Sequence, residues 1–140
     1  MNAARTSCLF CQMIAGHTAA VVVVDEPATL VILDHRPVFK GHCLVFPKFH
    51  AETLSDVPLP DVGPLFEAVQ RVARAVEAGL AADGTFVAMN NRVSQSVPHL
   101  HVHVVPRHKK DGLRGFFWPR QRYDNDEEAT AIAEAIRRAL

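Results

Sequence analysis

Apolar and polar positions along the chain change their period several times, and each change marks an element. Residues 20–25 (AVVVVD) and 28–34 (ATLVILD) are β-branched runs separated by Glu26-Pro27, which reads as a hairpin. Residues 42–46 (HCLVF) form a third strand-like run that stops at Pro47. A longer period follows. Between about residues 61 and 82, Leu65, Phe66, Val69, Val72, Val76 and Leu80 recur at spacings of three and four, while Glu67, Gln70, Arg71, Arg74 and Glu77 occupy the other face. That pattern predicts an amphipathic helix with one buried stripe, ended at Asp83-Gly84. Residues 85–90 (TFVAMN) and 99–106 (HLHVHVVP) return to strand character. Residues 126–139 predict a last helix carrying Ile132 and Ile136 on one face, its acidic start and basic end suiting the helix dipole. Ser7 is placed to cap a short helix running to about Ala15 and stopped by Gly16. Strands and helices are mixed without strict alternation. The expected class is therefore α+β with a mainly antiparallel sheet, one long helix and one C-terminal helix.

Composition narrows this little and excludes much. The 140 residues suit one domain, with 1–6 expected as a loose tail and 107–140 as a C-terminal extension. Hydrophobic residues make up 49%, enough for a core. The formal net charge of +0 gives no global field toward nucleic acid or an acidic membrane. The first residues, MNAARTSCLF, lack a secretory h-region, and no apolar run approaches the ~20 residues of a membrane span. A cytoplasmic protein without membrane contact is expected. Cys8, Cys11 and Cys43 do not make a disulfide framework. The Cys8-x-x-Cys11 pair has the spacing of a metal or redox pair, whereas Cys43 lies in an apolar strand and reads as a small core residue.

The chemistry concentrates in residues 99–103. His99, His101 and His103 alternate with Leu100 and Val102. Strand alternation places the three imidazoles on one face, roughly 6–7 Å apart, with the aliphatic residues behind them. Folding alone gives no reason for three titratable rings in a row. Three half-exposed histidines would be the bland outcome. The two chemical outcomes are a metal site, since alternating histidines supply zinc ligands, and nucleophilic catalysis, since neutral imidazole attacks phosphorus. The triplet by itself does not separate them.

Its flanks carry more. The stretch Gln95-Ser96-Val97-Pro98-His99-Leu100-His101-Val102-His103-Val104-Val105 closely resembles the signature of the histidine-triad (HIT) family. Phe10, Leu33-Asp34, and the block Gly41-His42 through Pro47-Lys48-Phe49-His50 fall in matching order, so the resemblance spans roughly Cys8 to Trp118. It implies a HIT-like fold, a homodimer, and a nucleotide hydrolase or transferase acting at the α-phosphate of a purine nucleotide (AMP- or GMP-type). His101 is implied to be the nucleophile, forming a nucleotidyl–histidine intermediate that water hydrolyses. Ser96 and His103 are implied to hold phosphate oxygens, with Gln95 at the scissile bond and leaving group. Asp34 is implied to accept from the ribose hydroxyls, Asn90 to approach the ribose–phosphate, and Phe10, Ile32 and His35 to line the base pocket. The sequence departs from the family in a short 90–95 loop, in Ser94 where glycine is usual, and in Pro98 before the first histidine.

The resemblance also groups Cys8 and Cys11 with His50 and His99 as a structural zinc site, with no organic cofactor. The basic, aromatic segment 107–122, with Phe116, Phe117 and Trp118, reads as a surface or interface loop in preference to a nucleic-acid contact. His17 and His108 read as solvated. Two other functions compete with the enzyme: a zinc-dependent hydrolase using the triad as ligands, and a nucleotide-binding scaffold with vestigial catalysis.

Overall fold

The computed structural model describes residues 6–114 and 120–140. The aromatic trio Phe116, Phe117 and Trp118, and all of the expected N-terminal tail except Thr6, lie outside those residues. Elements run α1 (Leu9–Ile14), β1 (Val22–Asp25), β2 (Thr29–Leu33), β3 (Cys43–Pro47), a 3₁₀ turn (Leu54–Asp56), α2 (Leu59–Leu80), β4 (Gly84–Ala88), β5 (Val102–Arg107) and α3 (Asp126–Arg137). The five strands form one antiparallel sheet in the order β1-β2-β3-β5-β4. The expected α+β class is the one observed.

Strand alternation divides the interior into two layers. On one face Val31, Cys43, Val45, Val102 and Val104 pack with Leu65, Ala68, Val69, Val72 and Val76 of α2. On the other face Leu30, Ile32, Leu44 and Phe46 pack with Cys8 and Phe10 from the N-terminal segment. β2 and β3 are thus apolar on both faces, which is why their sequences read as continuous runs rather than alternating ones. Cys43 is a core residue, as expected, and burial pushes its thiol up.

Several boundaries differ from the sequence expectation. The cap of α1 is Cys8, not Ser7: its Sγ accepts from the Cys11 N–H at 3.4 Å. α2 starts two residues early at Leu59 and stops at Leu80, because Ala81 takes the left-handed conformation (φ 51°) that glycine was expected to supply. Gly84 opens β4 instead. Phe66 and Leu80 fall off the buried stripe and stay exposed, while Ala68 takes a place on it. Pro47 lies inside β3 as its last residue, paired with Thr29, and His42 lies outside it. β4 ends at Ala88, short of Asn90. α3 is capped by the Asn125 side chain and ends at Arg137, and both Ile132 and Ile136 are exposed.

The histidine strand is also shorter than expected. β5 begins at Val102, so His99 and His101 precede the ladder. Their segment is held differently: the His99 N–H donates to Val97 O at 2.8 Å and the Leu100 N–H to Ala51 O at 2.7 Å. Among the described residues no helix is long and apolar enough to cross a membrane.

Candidate active site

The segment leading into β5 brings its histidines to the sheet face opposite α2. His99 and His101 are buried and His103 is half-buried, so the half-exposed trio of the bland reading is not what forms. The rings of His101 and His103 lie 5.0 Å apart, centroid to centroid. They line a pocket of about 680 Å³ together with Phe10, Ile32, Asp34, His35 and Ser96. The pocket's apolar end is completed by Leu9, Met13, Leu44 and Val97, none of which the sequence singled out. Phe10 stacks on Phe46 (4.4 Å, 9°) and meets His101 edge-on (5.1 Å, 85°), so one aromatic ring joins the pocket wall to the histidines.

Hydrogen bonds give each histidine a distinct state. His101 Nδ1 lies 2.7 Å from the His99 carbonyl. A carbonyl only accepts, so the neutral ring carries its proton on Nδ1 and keeps the lone pair on Nε2. Burial pushes His101 below the ordinary imidazole range, against the opposing pull of that carbonyl and of Asp34. His103 is lowered to about 4, first by burial and then by the neighbouring His101 and His42. Both rings are therefore neutral near pH 7.

The remaining expected site residues separate into two groups. Asp34 sits at the end of β2, its Oδ1 accepting from the Arg36 N–H at 2.8 Å, with His35 exposed at the pocket rim. Gln95 and Asn90 do not line the pocket. Gln95 donates to Glu52 O at 2.6 Å and accepts from the Arg92 N–H at 2.8 Å, while Asn90 donates to Ser94 O at 3.2 Å. Both fasten the 90–95 loop. Ser94 adopts φ 59° there, the left-handed conformation that glycine takes without strain, and Arg92 adopts φ 68°.

Cys8, Cys11, His50 and His99 converge at the base of α1, with their donor atoms within 4.8 Å of one another. Cys8 Sγ and Cys11 Sγ lie 3.5 and 3.6 Å from His99 Nδ1, and Cys11 Sγ lies 3.4 Å from His50 Nδ1. Tetrahedral zinc, with bonds of about 2.3 Å to sulfur and 2.0–2.1 Å to nitrogen, sets a sulfur–nitrogen edge of about 3.5 Å. The donor set fits. His99 Nε2 donates to the Pro47 carbonyl at 2.8 Å, which leaves Nδ1 as the ligand nitrogen and orients the ring.

His42 is not among the expected site residues. It is buried, and its Nε2 lies 2.9 Å from His103 Nδ1. No sequence signal could have paired residues 61 positions apart.

An antiparallel sheet that buries a histidine cluster beside a mainly apolar pocket defines the class of fold and site. The HIT domain family model matches residues 15–110, and the chain belongs to that family. It is 38% identical over 135 residues to an uncharacterized HIT-like protein of Mycobacterium tuberculosis, covering 95% of this chain and 92% of that one. It is 34% identical to an adenosine 5'-monophosphoramidase of Schizosaccharomyces pombe, covering 93% and 96%. Among solved structures, a HIT family member from Bacillus subtilis superposes with a TM-score of 0.87 at 34% identity, covering 96% and 97%. A Zn-bound histidine triad family protein from Mycobacterium smegmatis superposes with a TM-score of 0.74 at 37% identity, covering 97% and 99%.

Proposed function

We propose that the protein is a nucleotide hydrolase or transferase that breaks the bond between the α-phosphorus and its leaving group in a purine nucleoside phosphoramidate or dinucleoside polyphosphate. The observation that carries this reading is the His101 ring, whose Nδ1 is committed to the His99 carbonyl while its Nε2 stays unprotonated beside the pocket. Nε2 attacks the α-phosphorus, the N–P bond forms, and the bond to the leaving group breaks. Water then displaces the nucleotidyl group and restores the free ring. The His99 carbonyl stabilises the positive charge that the ring gains on bonding to phosphorus. Ser96 and His103 donate to the phosphate oxygens, and Asp34 accepts from the ribose hydroxyls. The base enters the slot lined by Phe10 and Ile32, whose walls select by shape. Gln95 and Asn90, which stand outside the pocket lining, bear on the leaving group and the ribose–phosphate only by fastening the 90–95 loop. The relation to an adenosine 5'-monophosphoramidase supports this substrate class.

Zinc at Cys8, Cys11, His50 and His99 would be structural, cross-linking α1 to the segments that follow β3 and precede β5. His99 is then a ligand rather than an acid or base. A zinc hydrolase built on His101 and His103 has less support: the two clusters with metal-compatible spacing among the described residues are Cys8, Cys11, His50 and His99, and Asp34, His42 and His103, so His103 belongs to one but His101 to neither. A homodimer is supported by the place of β4 at the edge of the sheet among the described residues and by the exposed Ile132 and Ile136 of α3. We place the protein in the cytoplasm, where thiols stay reduced and nucleotides are abundant.

The direct test is to quench turnover of an adenosine phosphoramidate and look for an AMP adduct by intact mass. An adduct on His101 is expected; turnover with none, under conditions that trap slow intermediates, would count against the covalent route. The acid limb of kcat/KM supplies a second test. Burial depresses the nucleophile's pKa, so the neutral form persists below the ordinary ~6.5 of imidazole and is lost only as pH falls through the lowered value. The limb should have its midpoint below 6.5, and one at or above that pH would contradict the buried ring.

A further inference from the structure

His42 takes no part in the steps above, yet it is one of the few polar side chains buried to 3% exposure. It stands in the turn that leads into β3, next to His103, whose register partner on β3 is Leu44. The turn is closely fixed. The His42 N–H donates to Phe39 O at 3.0 Å, and the His42 carbonyl accepts from the Asp34 N–H at 2.9 Å. Gly41 makes the turn possible by adopting φ +99°, where a Cβ would also collide with Leu80 Cδ1. The chain curls back far enough for the Val38 N–H to donate to His42 Nδ1 at 3.2 Å.

That last contact decides the protons. A backbone N–H can only donate, so Nδ1 of His42 must be an acceptor. The single proton of the neutral ring is then on Nε2, facing His103 Nδ1 at 2.9 Å. His103 Nδ1 must accept in turn, which puts the proton of neutral His103 on its own Nε2. A doubly protonated His42 would set two donors against each other at Val38. A doubly protonated His103 would push a proton at His42 Nε2 and force the same clash. Among the described residues Asp34 is the competitor, because a carboxylate at His42 Nδ1 would favour the opposite tautomer. Its Oδ2 lies 3.6 Å away, beyond a hydrogen bond, and its Oδ1 is engaged by the Arg36 N–H. Burial works in the same direction as the Val38 contact by disfavouring a cationic His42.

We infer that His42 is a positioning residue that locks His103 as the neutral Nε2–H tautomer, so that His103 meets the nucleotide phosphate as a hydrogen-bond donor. The phosphate in that statement rests on the function proposed above; the tautomer does not. The wrong tautomer would present a lone pair to phosphate oxygens. A cationic ring would hold the anionic nucleotide after the chemistry is over. The relay from Val38 through His42 excludes both.

The test reads the ring nitrogens directly. Long-range ¹⁵N–¹H spectra of the full-length, metal-loaded protein at pH 7 should show His42 and His103 each protonated on Nε2 and bare on Nδ1. His42→Leu should remove the fixed His103 pattern and lower kcat/KM for an adenosine phosphoramidate by on the order of 10–100-fold, the scale for partners that orient functional histidines. Most of that loss should fall in kcat. His42→Gln, which keeps an N–H donor near the position of Nε2, should recover both the pattern and much of the rate. A proton on His103 Nδ1 in the wild-type protein overturns the inference. So does a His42→Leu variant that keeps the wild-type pattern, or a folded His42→Gln no better than the leucine variant. If His42→Leu fails to fold, the wild-type spectrum and the glutamine variant decide. A wild-type protein that turns over no nucleotide refutes the proposed function and leaves the ring-nitrogen result standing.

Discussion

Replacing His101 by alanine is expected to lower turnover of an adenosine phosphoramidate by on the order of 10⁴–10⁶-fold, the scale on which removing a covalent nucleophile acts. Affinity for AMP should stay within about tenfold of wild type, a difference of roughly 1.4 kcal/mol. The asymmetry follows from where the groups sit. Phe10, Ile32, Asp34, Ser96 and His103 line the pocket independently of His101, whereas the unprotonated Nε2 has no substitute in it. His101 is buried, and its removal leaves the His99 carbonyl without its donor, at a cost of about 1–3 kcal/mol. The variant's melting temperature must therefore be measured with its rate. A folded His101→Ala that turns over substrate at the wild-type rate would sink the mechanism. Slow wild-type activity that disappears with a chelator, with no adduct at any time, would favour metal-assisted hydrolysis instead.

Stripping metal from the protein, or replacing Cys11 by serine, is expected to lower the melting temperature by at least about 10 °C, the shift that a loss of a few kcal/mol gives in a domain of this size. The cause is geometric. Cys8 and Cys11 belong to the N-terminal segment, His50 follows β3 and His99 precedes β5, so one ion would tie three segments together and close two long loops at once. Phe10 lies between the two cysteines and forms a pocket wall, packed on Phe46 and edge-on to His99 and His101. Metal loss should thus also weaken AMP binding, through a loosened wall rather than through a lost step. Elemental analysis of the purified protein should find about one zinc per chain, and adding zinc should restore the melting temperature after chelation. A metal-free protein that melts at the same temperature with and without added zinc would remove the site.

Most strands, and the long helix, could be seen in the sequence because their periods are local properties of the chain. The two-faced burial of β2 and β3 showed as continuous apolar runs, and the α2 stripe showed as three- and four-residue spacings. Element ends were less legible. Ala81 ends α2 in a conformation that its residue type does not favour, and Cys8 caps α1 with a thiol that is itself part of the metal-compatible cluster. The start of β5 moved because the backbone of Leu100 bonds to Ala51 rather than to a neighbouring strand.

The sequence by itself determined that three histidines alternate with aliphatic residues, that two cysteines stand two residues apart, and that these lie in blocks resembling one family. Only the tertiary structure decided what each histidine touches. The three side chains are chemically identical, and the difference between them is which atom each nitrogen faces: two cysteine sulfurs and the Pro47 carbonyl for His99, the His99 carbonyl for His101, and His42 for His103. Those partners come from residues up to 91 positions away, brought together by the sheet. A proton goes to whichever nitrogen faces an acceptor, and no local pattern in a sequence records that.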